Sequence, residues 1–236
     1  DTVTPVGIFL RIRDQYPYSV ILESADYHAM QNSFSYIACD VMASITIDNS
    51  TVTQAFPNGE TETFTLKNRK DAVKALREFA DAFKAEENPH AFISNGLFGH
   101  ITYDAVSYFE DIEMQGKSKE TAIPQIMYRV YRYVVAVNHF KNEMHLFEHT
   151  YTKEGEVSKP LESGLETLEI FVKTPKISTK PFEAEGEEET NITDDRMREI
   201  IAQCQKHCLR GDVFQIVPSR RYAKKFKGDD FNVYRC

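Results

Sequence analysis

Gln215 offers the most specific chemistry in this sequence. It sits in the run Val213-Phe214-Gln215-Ile216-Val217, which reads as a strand with Val213, Gln215 and Val217 on one face and Phe214 and Ile216 on the other. An amide flanked by valines on a buried face needs hydrogen-bond partners, or it costs on the order of 1–3 kcal/mol. A glutamine does not titrate usefully, so it cannot act as a general base. It can orient a nucleophile that is already reactive. The plain alternative is a structural buried amide.

Glu23 and Ser24 follow the short apolar run Val20-Ile21-Leu22. A carboxylate in a partly dry site binds an ammonium group through a charge-assisted hydrogen bond, and the neighbouring hydroxyl both donates and accepts. From the residues alone, the same pair also fits a solvent-exposed strand end. Cys204, His207 and Cys208 could point to a metal site. However, Met197, Ile200, Ile201, Cys204 and Cys208 fall on one helical stripe, so both thiols are expected to face a core as small hydrophobes. A structural zinc site also wants four ligands, and no second pair is at hand. Tyr103, Asp104 and Glu110 have acid–base types but read as structural. The basic cluster Arg220, Arg221, Lys224, Lys225 and Lys227, interleaved with Tyr222 and Phe226, has the look of a single-strand binding patch; a solvated face or domain interface fits the acidic chain better.

The elements that must position these residues are legible in outline. Residues 1–66 read as strands and turns: apolar runs at 19–22, 34–37, 43–47, 52–56 and 61–66, with turn residues Asp48-Asn49-Ser50 and Pro57-Asn58-Gly59 between them. A helix follows, with Asn68 as N-cap and Asp71 in its first turn. Val73, Leu76, Phe79, Ala80 and Phe83 recur at helical spacing, and the end is expected near Glu87-Asn88-Pro89. Residues 126–137 and 144–147 form a hairpin around 139–142. The first strand is long enough to call for a bend or bulge. Ser158 and Pro160 open a helix with Leu161, Leu165 and Leu168 on one face. Residues 174–190, with Pro175, Pro181, Gly186 and the run Glu187-Glu188-Glu189, read as a linker or a long surface loop. Thr193 then caps an amphipathic helix that Gly211 stops. The tail from Tyr222 to Cys236 is charged and short on apolar pattern.

Composition bounds the class. The chain has 236 residues, 42% hydrophobic and 27% charged, as in a globular protein. Its 16 Phe and 12 Tyr, with no Trp, favour a β-rich core. A net charge of −8 argues against a global nucleic-acid footprint. No stretch approaches the roughly 20 apolar residues of a membrane span, and no secretory leader is visible. Four cysteines are too sparse for a disulfide scaffold, so reduced thiols in a cytoplasmic protein are expected. The segment after 190 holds one helix and one or two strands and cannot close a core in about 45 residues; it reads as a truncated module. The expected fold is α+β: an antiparallel β-rich domain over 1–173, a linker over 174–190, and the first elements of a second α+β domain over 191–236.

Four segments in this order carry a family resemblance: Ile21-Leu22-Glu23-Ser24; Gly96-Leu97-Phe98-Gly99-His100-Ile101-Thr102-Tyr103-Asp104-Ala105-Val106 with Tyr108-Phe109-Glu110; Pro124 with the Tyr-rich strand behind it; and Gly211-Asp212-Val213-Phe214-Gln215-Ile216-Val217-Pro218-Ser219-Arg220-Arg221. The chain resembles the N-terminal half of anthranilate synthase component I. His100 and Asn95 depart from it, standing where many members carry an aromatic residue and a glycine.

The resemblance implies a Mg²⁺-dependent conversion of chorismate and ammonia into anthranilate and pyruvate. The ammonia comes from a glutamine amidotransferase subunit. It implies tryptophan feedback inhibition through Leu22, Glu23 and Ser24, and a catalytic position for Gln215. Related isochorismate- and salicylate-forming enzymes look to carry a water-activating lysine there, so glutamine favours an aminating member. The family's Mg²⁺ glutamates and catalytic histidine fall beyond this chain, which implies an inactive fragment with no metal ligand of its own. Aminodeoxychorismate synthase component I is a near alternative, separated by a downstream Pro-Ile-Lys-Gly-Thr stretch. A non-catalytic amino-acid-binding module is the alternative from another class.

Overall fold

The computed structural model describes residues 4–24, 33–112, 123–153, 156–157, 164–174 and 181–235. The chain divides into two compact units, Asp1–Ile177 and Ser178–Cys236. The fold is α+β, with an antiparallel sheet flanked by helices.

The first unit opens on a helix, α1 (Pro5–Ile12), which was not expected ahead of the run at 19–22. The signal was local: the Thr4 hydroxyl accepts from Gly7 N at 3.0 Å, and Pro5 occupies the first turn. A seven-stranded sheet follows, built on two long strands, β2 (Phe34–Asp48) and β6 (Ile126–Asn138), paired along their whole length. The runs at 34–37 and 43–47, expected as separate strands, are thus one. Two short strands share the outer edge of β2: β1 (Val20–Leu22) and β3 (Thr51–Ala55), the latter extended by β4 (Thr61–Thr65). Two more share the outer edge of β6: β5 (Phe98–Ile101) and β7 (Glu143–Glu148).

A bulge separates the two halves of this arrangement. Val41 pairs with Tyr131 and Ala43 with Val130, so β2 spends an extra residue there. Asp40 beside it takes φ 62°, and its carboxylate accepts from Arg132 Nε at 2.8 Å. The irregularity expected in 126–137 therefore lies in its partner strand. The β2–β3 turn fits the two-residue hairpin type, with Asn49 and Ser50 at φ 47° and 65°.

Each half has its own core. Below the bulge, Ile45, Ile47, Val52, Tyr108 and Ile126 pack with α2 (Asp71–Asp81). The N-cap is Lys70, without a side-chain cap bond, rather than the expected Asn68; just ahead of it Asn68 Oδ1 accepts from Lys70 N and Asp71 Oδ2 from Asn68 N. The buried face is Ala72, Ala75 and Phe79. Of the expected stripe, Phe79 is buried and Leu76 and Phe83 pack against this core, while Val73 is exposed. The helix also stops at Asp81, short of the expected end. Above the bulge, Ile8, Ile12, Ile37, Leu168 and Val172 are buried. There Tyr16 meets Tyr133 and Phe171 edge-on, at 6.1 and 6.2 Å between centroids. Helix α3 (Gly164–Lys173) buries Gly164, Leu168 and Val172, while Leu165 is exposed. Ser158, Pro160 and Leu161 lie outside the described residues. A two-stranded ribbon, β8 (Thr152–Lys153) with β9 (Glu156–Val157), completes this unit's described elements.

The second unit corrects four expectations. Phe182–Thr190, expected as linker, is a strand, β10, paired with β11 (Tyr222–Gly228), the segment expected as a patternless tail. The pairing has an electrostatic cause. Glu185 sits opposite Lys225 and Glu183 opposite Lys227, so the acidic and basic runs neutralise each other across the ladder. Residues 213–217, expected as a strand, form no strand: they are irregular chain with a bend at Phe214. Between them lies α4 (Asp194–Arg210), capped by the Thr193 hydroxyl and closed by Gly211 at φ 76°, both as expected. It buries none of its side chains. Cys204 is half-buried and Cys208 exposed, so the expected burial of the two thiols does not occur here. A short helix, α5 (Phe231–Arg235), follows.

Candidate functional site

Leu22, Glu23 and Ser24 stand where β1 ends. Leu22 pairs with Tyr36 and is half-exposed; Glu23 and Ser24 are half-buried as the chain leaves the sheet. The strands around them present an aromatic surface. By register, Tyr36 and Ala38 of β2, Val134 and Ala136 of β6, and His145 and Phe147 of β7 share one face. A segment between α2 and β5 lies over it. Phe92 stacks on Phe34 at 4.9 Å and meets His145 at 4.9 Å, and His90 meets Phe147 edge-on at 5.4 Å. Sequence reading missed this cluster because its members come from β2, β7 and a coil. The alternation of aromatics along 34–36 and 145–147 was its only local trace.

Electrostatics on this face are set by burial. The Tyr36 hydroxyl is held above its ordinary pKa by burial, partly offset by a hydrogen bond with the Ile93 backbone. Tyr131 is raised for the same first reason, and its hydroxyl donates to the Tyr18 carbonyl at 2.7 Å. The Arg129 guanidinium lies 4.5 Å over the Tyr18 ring. His145 Nε2 is closed off from solvent without a hydrogen-bond partner, 3.6 Å from Glu143 Oε2. Flat π surfaces beside a half-buried carboxylate are complementary to an aromatic ligand carrying an ammonium group.

The structure does not place Gln215 in such surroundings. It is exposed, between Phe214, which is fully exposed, and Ile216 at 41%. The expected buried face is not formed, because 213–217 has no partner strand and no covering layer among the described residues. The chain on either side is pinned. Asp212 accepts from His207 Nδ1 at 2.7 Å and from Arg210, and these contacts hold its carboxyl below the usual range, His207 contributing most. Arg220 donates to Asp194 Oδ1 at 2.5 Å, which likewise lowers Asp194, and Arg221 N donates to Asn191 Oδ1 at 2.8 Å. Arg220 is thereby engaged, and Lys227 bonds Glu185, so the basic cluster is in part an internal counter-charge. Tyr103 is exposed, Asp104 lies in the 3₁₀ turn Tyr103–Tyr108, and Glu110 follows it on the surface; nothing assembles them into a site.

Among the described residues no group of three or more His, Cys, Asp or Glu side chains is placed to hold a metal ion. Among these residues Mg²⁺ finds no fitting donor set. A shallow groove of about 500 Å³ along α3, lined by Glu166, Glu169, Ile170, Lys173 and Thr174, touches none of the expected site residues. No helix among the described residues is long and apolar enough to cross a membrane.

The chain belongs to the chorismate-binding enzymes, whose family model matches residues 26–236. Within that family it matches anthranilate synthase component I. It is 25% identical over its whole length to anthranilate synthase component 1 of Acinetobacter calcoaceticus, covering 48% of that protein. It is 26% identical to the Pseudomonas putida protein of the same name, covering 49%. The solved structure of anthranilate synthase component I from Streptococcus pneumoniae TIGR4 matches with a TM-score of 0.60 at 22% identity, over all of this chain and 50% of that one, which supports the fold. The chain thus spans about half the length of the relatives it matches.

Proposed function

We propose that this chain is the N-terminal half of an anthranilate synthase component I. The complete protein would convert chorismate and ammonia into anthranilate and pyruvate, in the cytoplasm and with Mg²⁺. The ammonia would come from a glutamine amidotransferase subunit. Residues 1–173 act as the regulatory domain, and residues from 191 onward begin the chorismate-binding module. The observation that carries this reading is the match, along the whole of this chain and about half of theirs, to proteins of that name.

In this reading Leu22, Glu23 and Ser24 contact tryptophan. The Glu23 carboxylate takes the ligand's ammonium group, Ser24 adds a hydroxyl, and the aromatic face led by Tyr36 receives the indole. Gln215 orients ammonia toward chorismate once a covering layer closes a cleft over residues 213–217. Because an amide does not abstract protons at neutral pH, this arrangement serves amination rather than hydration. In this reading the 236-residue chain alone is inactive, because the family's Mg²⁺ glutamates and catalytic histidine fall beyond it.

The chain has no Trp, so excitation near 295 nm reports almost only on added ligand. Tryptophan titrated into the full-length enzyme, with the emission of any tryptophan in its other half subtracted, should show a rise in emission anisotropy. Glu23→Gln should weaken binding by about tenfold, the loss of one charge-assisted hydrogen bond. Flat anisotropy with the full-length enzyme would remove the regulatory assignment. Anthranilate made by the 236-residue chain from chorismate, Mg²⁺ and an ammonium salt would overturn the inactivity of this half.

A further inference from the structure

An asparagine followed by a glycine holds two groups that react with each other. The glycine amide nitrogen attacks the asparagine side-chain carbonyl, and no Cβ on the glycine stands in the way. The chain has two such steps, Asn58-Gly59 and Asn95-Gly96. The fold treats them differently.

Asn58 and Gly59 are exposed at the tip of the β3–β4 hairpin. Gly59 takes φ 84°, and a Cβ there would meet nothing within 4 Å, so the step is open to solvent. The Gly59 amide donates to the Phe56 carbonyl at 3.0 Å, and Phe56 N donates to the Glu60 carbonyl at 2.9 Å. Inside this turn Asn58 Oδ1 accepts from Glu60 N at 3.0 Å. That bond closes a small ring containing both Asn58 Cγ and Gly59 N, the two atoms that must join. It also sets a backbone donor on the oxygen where negative charge develops as they join. Asn95 is half-buried, and its side chain makes no such bond among the described residues.

The geometry points to Asn58 as a self-modifying site, which deamidates in the folded chain through attack by its own neighbour. Hydroxide takes the Gly59 amide proton, and the freed electron pair forms the bond from Gly59 N to Asn58 Cγ. The resulting oxyanion rests on the Glu60 N–H. It collapses as the Cγ–Nδ2 bond breaks, and ammonia leaves with a proton from water. Water then opens the five-membered imide. Cleavage of the new N–Cγ bond leaves aspartate. Cleavage of the original peptide bond leaves isoaspartate, whose main chain runs through Cγ and is one carbon longer. One water is consumed and one ammonia released, with no oxidation or reduction.

The brake is the Gly59–Phe56 hydrogen bond, which must open before the proton can leave. It lies at an exposed hairpin tip, where local opening costs little. The product places a new negative charge beside Glu60 and Glu62, on a chain whose net charge is already −8. The isoaspartyl form also lengthens a turn that Phe56 and Glu60 hold closed.

Incubation of the 236-residue chain in mildly alkaline buffer made with heavy-oxygen water tests this, the two Asn-Gly steps being read separately by peptide mass spectrometry. Asn58 should become a labelled mixture of aspartate and isoaspartate. It should react faster than Asn95 by about tenfold or more, since one well-placed oxyanion donor is worth at least that. In urea the turn is gone, and the two steps should react alike. On anion exchange a more acidic species should grow in step with the label. Asn58→Ser keeps a side-chain oxygen for the Glu60 amide and should stop that growth. No label at Asn58 overturns the proposal, as does a folded-chain ratio no larger than the ratio in urea. An acidic species that grows undiminished in Asn58→Ser overturns it as well.

Discussion

The two units use the same kinds of element and differ in what lies behind them. In the first, Ile37, Ile45, Ile126 and Phe79 are buried to 1% or less, each between a strand or helix and a second layer. In the second, α4 carries an equally regular apolar stripe and buries none of it, and β11 is exposed along its whole length. Periodicity states which side chains would face a core if there were one. It does not supply the opposing layer. The second unit is held instead by caps, by acid–base pairs across β10 and β11, and by the Phe182–Phe226 stack at 5.2 Å.

The largest test of that contrast is a pair of truncations. Phe79→Ala empties a site packed against Phe56 and Phe83 at 5.8 and 5.2 Å and should cost about 3–5 kcal/mol in urea unfolding. Phe226→Ala removes a ring that is 49% exposed and one stacking partner, and should cost about 1 kcal/mol or less. Equal losses would mean that the second unit has a core of its own, and the contrast would fail.

Opposite responses to pH sharpen it. Burial, aided by Asp40 nearby, pushes the Cys39 thiol from an ordinary 9.0 up to about 12, and burial does the same to Tyr133. The folded chain holds these protons more tightly than the unfolded chain, so the stability they contribute is complete below pH 9 and drains as pH rises toward 12. Asp194 and Asp212 of the second unit run the other way. Arg220 lowers one and His207 the other. Their contribution is complete above the ordinary carboxylate value and is lost as pH falls through their depressed values. Amide exchange across a pH series should therefore open the sheet of the first unit in alkali and the α4 termini in acid. Loss of both units together at one extreme would contradict this.

What the sequence made legible follows the same divide. The hairpins around 48–51 and 57–60 and the ends of α4 were readable because turn and cap residues act locally. The single strand 34–48 was not, because Asp40 breaks its alternation and only pairing with β6 carries it through the bulge. Residues 182–190 looked like linker because glutamates are poor strand formers; the lysines that make the strand viable lie some forty residues later, and neither run signals a strand alone. Gly99 was readable as part of a motif but not in its cause. A Cβ there would stand 1.9 Å from the Met127 carbonyl oxygen, so the strand pair admits only glycine. Of the expected site, Glu23 and Ser24 landed beside an aromatic face no local pattern had announced. Gln215 landed in solvent, because burial of a strand is a property of its neighbours.

The smallest effect separates caps that stand alone from caps backed by packing. The Thr4 hydroxyl accepts from Gly7 N at the start of α1, a helix that buries Ile8, Phe9 and Ile12. The Thr193 hydroxyl accepts from Arg196 N at 3.4 Å at the start of α4, which buries nothing. Replacing either by alanine should cost about 1 kcal/mol. The readout should differ, because most helical stability in proteins comes from packing rather than from propensity. Thr4→Ala should lower the unfolding midpoint of the first unit and leave α1 protected in amide exchange until the sheet opens with it. Thr193→Ala should leave that midpoint alone and raise exchange in the first turn of α4, beginning at Met197, whose amide donates to the Thr193 carbonyl at 2.9 Å. An α4 that stayed protected until global unfolding would show a hidden layer packed against it.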